Sequence, residues 1–194
     1  RDRPYGEAVK GRWKMKTPLS ARVAAMEVID SNDIDTIRGK VDFVFCAVNM
    51  PKADVKALEE AYAKAEIPVV SNNSANRGMD DVPMLIPEIN YAHTAVIAAQ
   101  KARLGTKKGF IAVKPNCSIQ SYLPALEPLR GFGIKAVSVT TFQAISGAGK
   151  TFETFPEIID NVIPYIGGEE EKSEQEPLKI WGSVKDGRIV NAVS

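Results

Sequence analysis

Apolar and polar positions alternate along the chain in short, distinct blocks. Residues 41–48 form a run rich in Val and Phe, bounded by charge before it and by Asn49 and Pro51 after it, which predicts a buried parallel strand. Over 52–66 the apolar residues Val55, Leu58, Tyr62 and Ala65 recur at helical spacing, with Lys56, Glu59, Glu60 and Lys64 expected outside that stripe. Residues 67–71 read as a second β-branched strand, so the three blocks make a βαβ unit with a right-handed crossover. Short strands at 84–86 and 110–113, with a helix over about 92–104 between them, continue the alternation. The pattern is that of a doubly wound α/β sheet. Beyond Cys117 the pattern changes. A helix over about 118–129, a long alternating strand over 134–145, a Gly-rich turn at 146–149 and a helix after Gly168 are expected. The domain boundary is placed near residue 116, giving 1–116 and 117–194.

Open parallel sheets bind ligands outside the carboxyl ends of their strands, so a nucleotide is expected near residues 47–50 and 71–77. The sequence contains no G-x-G-x-x-G loop, which in such folds follows the first strand. The sheet is therefore either one that binds no dinucleotide or a Rossmann-like domain whose first strand would lie upstream of Arg1. A composition of 44% hydrophobic and 25% charged residues excludes disorder, and a formal net charge of +1 offers no general field for nucleic acid. The apolar runs fall far short of the roughly 18 to 20 residues of a membrane span, and residues 1–16 lack the apolar stretch of a signal peptide. A cytoplasmic protein without a membrane partner is expected. Cys46 and Cys117 have no metal-ligand spacing and His93 is the only histidine, so neither a disulfide framework nor a metal site is indicated.

The sharpest chemical feature is Cys117. It follows the 110–113 strand through Lys114, Pro115 and Asn116 and leads directly into a helix, where helix-start amides lower a thiol pKa and can stabilise an oxyanion. The alternative is a cysteine that merely packs at a helix start. Cys46, inside a strand, reads as inert core. His93 is expected to be an ordinary solvated histidine on a surface helix and a poor proton carrier for the thiol. Gln143, Arg77, and the pair Glu169 and Lys172 on one helical face are further polar candidates. Each also fits a bland role: strand-end residue, surface charge, or solvated salt bridge.

Five segments in order carry a family resemblance. They are Ser71-Asn72-Asn73-Ser74-Ala75-Asn76-Arg77; Asp81-Val82-Pro83-Met84-Leu85-Ile86-Pro87-Glu88-Ile89-Asn90; Pro115-Asn116-Cys117-Ser118; Gln143-Ala144-Ile145-Ser146-Gly147-Ala148-Gly149; and Glu169-Glu170-Glu171-Lys172 followed by Glu176, Lys179 and Ile180. Together they resemble aspartate-semialdehyde dehydrogenase, and Asn161-Val162-Ile163-Pro164-Tyr165-Ile166 resembles its archaeal and fungal branch. The resemblance implies an NADP-binding Rossmann-like domain followed by part of an α+β catalytic and dimerisation domain. It also implies NADPH-dependent reduction of 4-phospho-L-aspartate to the semialdehyde through a cysteine thioester, in lysine, threonine and methionine biosynthesis. Cys117 would be the nucleophile and Gln143 would orient the substrate. Arg77, Asn116 and Lys172 would hold phosphate, Glu169 the substrate amino group, and Ser146 and Gly147 the cofactor. No metal is implied, and a homodimer or homotetramer is. The family's amino-terminal glycine loop and its downstream catalytic arginine and histidine have no counterpart in these 194 residues, so the chain itself is expected to turn over little. A malonyl- or succinyl-CoA reductase of the same fold, or a non-catalytic chain retaining it, are the alternatives.

Overall fold

A computed structural model describes residues 3–193; Arg1, Asp2 and Ser194, the outermost positions of the two expected domain ranges, lie outside the described residues. Three single-turn helices come first: α1 (Tyr5–Ala8), α2 (Ala21–Ala24) and α3 (Ile34–Ile37). The last two are N-capped, by Ser20 accepting from the Val23 amide and by Asp33 accepting from the Thr36 amide. Next come β1 (Val44–Cys46), α4 (Lys52–Lys64), β2 (Val69–Ser71), α5 (Pro87–Asn90), a 3₁₀ segment (Tyr91–Val96), α6 (Ile97–Leu104) and β3 (Ile111–Val113). The strands form one parallel sheet in the order β1-β2-β3, with Val44 opposite Val69 and Val69 opposite Ile111. Met84 adds a single parallel bridge to Val113, which is all the expected 84–86 strand becomes.

The βαβ pattern forms because α4 buries Val55, Tyr62 and Ala63 against the sheet. Glu59, expected on the solvent side, is instead 1% exposed. Its carboxylate accepts from Ser71 Oγ at 2.5 Å and from Asn76 Nδ2 at 2.7 Å, and this pairing is what makes its burial tolerable. The helix stops at Glu66, which takes a left-handed φ of 69°. The Glu66 carboxylate accepts the amides of Lys107, Lys108 and Gly109, and these bonds hold its pKa down at about 2. Gly109 is required where it stands, because a Cβ there would lie 1.8 Å from the Ala63 carbonyl oxygen. Gln100 ties α6 to β3 by donating to the Ile111 carbonyl and accepting the Ile111 amide.

After β3 the chain turns into α7 (Ile119–Leu126) and a 3₁₀ segment (Glu127–Phe132). The alternation over 134–145 does not become a strand: no ladder forms there among the described residues, and Val137 and Val139 stay exposed. An alternating pattern supplies one apolar face but not a neighbour for its backbone hydrogen bonds, and none is placed beside it here. A 3₁₀ turn (Ile145–Ala148) ends at Gly149, then α8 (Glu169–Ile180) leads into an antiparallel hairpin of β4 (Ser183–Lys185) and β5 (Arg188–Val190). Asp186 and Gly187, both at positive φ, make its two-residue turn. Ile119 and Leu123 of α7 and Ile180 of α8 join the same buried cluster as Val69, Ile111 and Val113.

His93 departs most from the sequence expectation, being 3% exposed rather than solvated. One ring nitrogen meets Asn90 Nδ2 at 3.1 Å and the other the Gly182 carbonyl at 3.1 Å. The turn after α8 covers the ring, so helical spacing around His93 could not reveal its burial. No helix among the described residues is long and apolar enough to cross a membrane.

Candidate functional site

Cys117 stands in the turn between β3 and α7, after the segment 114–116 and two residues before the helix begins. It is exposed, while Asn116 and Ser118 on either side are buried. Asn116 fixes this turn from inside, since its Oδ1 accepts both the Ser118 amide at 2.8 Å and the Ser118 hydroxyl at 2.5 Å. The thiol therefore projects from a turn whose neighbouring amides, those of Asn116 and Ser118, are already engaged.

Three of the candidates converge on the carboxylate of a fourth beside that turn. Glu169, the first residue of α8, accepts from Asn116 Nδ2 at 2.9 Å, from Lys172 Nζ at 2.7 Å and from Gln143 Nε2 at 3.0 Å. Glu169 and Lys172 meet because they stand three apart on one helix, a contact legible from spacing. Gln143 arrives from the extended segment before the 3₁₀ turn, and no local pattern announces its contact. Burial opposes ionisation of Glu169, but the bonds from Lys172, Gln143 and Asn116 outweigh it and leave the pKa below the ordinary glutamate value. With its amide nitrogen committed to Glu169, Gln143 keeps its carbonyl oxygen as an acceptor for another group.

Arg77 is neither a free surface cation nor loosely held. Its Nη1 donates to Glu176 Oε1 at 3.0 Å and its Nη2 to the Asn72 carbonyl at 3.2 Å. Its Nε is buried without a hydrogen-bond partner among the described residues. Glu176 links this arginine to the nucleophile turn, because its other oxygen accepts the Asn116 amide at 2.6 Å. Lys114 lies near the same group: burial, and then the charge of Arg77, lower its pKa, while Cys117 and Glu176 act in the opposite sense. The sequence assigns no role to Lys114 or Glu176, although Glu176 belongs to a quoted motif and Lys114 directly precedes one.

Ser146 and Gly147 sit in the exposed 3₁₀ turn, and nothing lies within 4 Å of the place a Cβ would occupy at Gly147. That opening admits the close approach of a flat ring. At the carboxyl ends of β1 and β2, Ser71 Oγ accepts the Asn73 amide, and Asn73 Nδ2 lies 3.3 Å from Cys46 Sγ. The glycine fingerprint for a dinucleotide pyrophosphate is not in the sequence. Cys46 is 8% exposed, and burial, followed by the nearby Glu59 carboxylate, pushes its thiol pKa up.

Residues 3–97 match the family described as semialdehyde dehydrogenase, NAD binding domain, and residues 126–193 match semialdehyde dehydrogenase, dimerisation domain. An aspartate-semialdehyde dehydrogenase of Archaeoglobus fulgidus is 38% identical over 185 residues, covering 95% of this chain and 52% of that protein. A malonyl CoA reductase (NADP) of Metallosphaera sedula is 33% identical, covering 94% and 50%. The crystal structure of aspartate semialdehyde dehydrogenase with NADP from Candida albicans superposes with a TM-score of 0.79 at 31% identity, covering 98% of this chain and 52% of that one. The chain thus spans about half the length of the relatives it matches.

Proposed function

The chain belongs to the semialdehyde dehydrogenase family, and from that premise we propose that it carries the acyl-transfer half of an aspartate-semialdehyde dehydrogenase site, within an α/β protein that uses NADP. The proposed reaction is the NADPH-dependent conversion of 4-phospho-L-aspartate to L-aspartate 4-semialdehyde and phosphate, a cytoplasmic step toward lysine, threonine and methionine. One observation carries the reading: the only exposed cysteine among the described residues stands at a strand-to-helix turn one residue from a network of Asn116, Gln143, Glu169 and Lys172.

In this mechanism the Cys117 sulfur attacks the acyl carbon of the substrate, and positive partial charge at the start of α7 favours the developing oxyanion. The carbon–oxygen bond to phosphate then breaks, leaving a thioester on Sγ and releasing phosphate toward Arg77, Asn116 and Lys172. Gln143, anchored through its amide nitrogen, turns its carbonyl oxygen toward the substrate and orients it. Glu169 takes the substrate ammonium, which adds a cationic donor to a carboxylate already served by Lys172. NADPH, when bound, would supply the hydride that reduces the thioester to the aldehyde with the Cys117 thiolate as leaving group, and Ser146 and Gly147 would hold the nicotinamide side of the cofactor. His93 is not the proton carrier in this reading, because both its ring nitrogens are engaged in buried bonds. We place the cofactor domain at 1–116 and the catalytic domain at 117–194. The exposed Phe132, Phe142 and Tyr165 favour assembly into a homodimer or homotetramer through the second.

The Metallosphaera relative keeps a second reading open, a reductase of malonyl-CoA by the same cysteine chemistry. Mass spectrometry of the purified chain incubated with 4-phospho-L-aspartate or with malonyl-CoA separates the two. An aspartyl adduct on Cys117 formed faster than a malonyl adduct is the expected result. A faster malonyl adduct would transfer the assignment to the CoA thioester, and no adduct on Cys117 from either donor would overturn the acyl-transfer reading.

A further inference from the structure

Helix α8 holds Arg77 at both ends of the residue. Glu176 Oε1 takes its guanidinium at 3.0 Å, and Lys179, three residues on and so on the same helical face, donates to the Arg77 and Met79 carbonyls, each at 2.6 Å. Glu176 does not merely neutralise Arg77. Its second oxygen accepts the backbone amide of Asn116 at 2.6 Å, directly before Cys117. One carboxylate thus joins the cation after β2 to the turn after β3 that carries the thiol. The side chains of Arg77 and Glu176 are only 11% and 10% exposed, so this bridge is shielded from the solvent screening that makes surface pairs weak. The guanidinium is not saturated by these bonds, since its buried Nε has no partner among the described residues.

We propose that Glu176 is a positioning residue that fixes the Arg77 guanidinium relative to the Cys117 turn, setting the separation between the phosphate-binding cation and the nucleophile. The inference rests on the reading of Arg77 as part of the anion site. The geometry demands this residue type. Glutamine keeps the length but has one accepting oxygen, and its amide would face a donor. Aspartate keeps the charge but is one methylene short of spanning Arg77 and the Asn116 amide together.

The test uses the purified chain with inorganic phosphate as the probe. Phosphate bound beside Cys117 should slow its alkylation by iodoacetamide, and the phosphate concentration giving half-protection is measured for wild type, Glu176→Gln, Arg77→Ala and the double variant. Glu171→Gln, an exposed change on the same helix, controls for helix charge. Glu176→Gln should raise the half-protecting concentration roughly tenfold, the loss expected when a charge-assisted bond no longer orients its cation. In the Arg77→Ala background the same change should add nothing. An unchanged value for Glu176→Gln, an equal shift in the Arg77→Ala background, or an equal shift from Glu171→Gln would each overturn the proposal. Arg77→Ala without effect would refute the anion-site role of Arg77 itself, and absent protection in wild type would refute the phosphate site and the inference with it. If Glu176→Gln fails to give the wild-type circular dichroism spectrum, Glu176→Asp replaces it with the same expected shift and the same coupling to Arg77.

Discussion

Replacing His93 by alanine removes a ring that closes two hydrogen bonds, one to Asn90 three residues before it and one to Gly182 eighty-nine residues after it. The Asn90 amide sets the ring's tautomer: its Oδ1 accepts the Ile86 amide at 2.9 Å, so its Nδ2 faces the ring and donates to His93 Nδ1. The proton of the neutral imidazole therefore sits on Nε2 and points to the Gly182 carbonyl. Alanine leaves that carbonyl without its donor, deprives Asn90 of one of its two acceptors, and empties the space of the ring. Together these cost about 2–4 kcal/mol, a fall in melting midpoint of roughly 5–15 °C for a chain of this size. Protonation should act in the same direction, because a proton on Nδ1 would confront the Asn90 amide. Burial lowers the His93 pKa most, the Gly182 bond works against that shift, and the Lys179 charge adds to it, leaving the folded value below 6.5. As pH falls from about 7, the unfolded chain takes up the proton first, so this part of the stability is full above 6.5 and is lost as pH falls toward the folded pKa. The lowered carboxylates Glu66 and Glu169 act below their ordinary value of 4.5, and Lys179, lowered to about 8, acts above pH 8. Melting curves by near-ultraviolet circular dichroism between pH 5 and 7 isolate the histidine. Wild type should lose stability across that window and His93→Ala should not. Parallel pH dependences in the two proteins would refute the buried neutral tautomer.

Two further changes test the site and the packing. Gln143→Ala should slow aspartyl transfer to Cys117 by on the order of 10²-fold, because a positioning hydrogen bond is lost in a partly desolvated site; an unchanged rate by quench-flow mass spectrometry would remove Gln143 from the mechanism. Gly109→Ala drives a methyl into the Ala63 carbonyl and should lower the free energy of unfolding in urea by about 1–3 kcal/mol, whereas an unchanged urea midpoint would contradict the close approach of α4 to the segment before β3.

What the sequence reveals divides along the range of each interaction. The β1-α4-β2 unit and the placement of Cys117 between β3 and α7 were legible because periodicity and boundary residues act within about fifteen positions. The Glu169–Lys172 contact follows from helical spacing in the same way. Glu59 was misplaced because its helical phase lies at the edge of the apolar stripe. Only Ser71 and Asn76, reached through the fold, make that position fit for a carboxylate. His93 was misplaced because its cover comes from Gly182. The 134–145 segment shows that alternation specifies a face but not a partner strand. Glu176 stood in a recognised motif, yet its two bonds to Arg77 and Asn116 join three distant segments and left no local signature.

The central claim is that Cys117, not Cys46, is the reactive thiol, and its most direct test is peptide mapping after brief iodoacetamide treatment of the folded chain at neutral pH. Cys117 is exposed at the approach to α7, while Cys46 is buried with its thiol pKa pushed above the ordinary 9.0 by desolvation and by Glu59. The account predicts label on Cys117 at least roughly tenfold ahead of Cys46. Equal labelling of both cysteines, or label on Cys46 first, would contradict it.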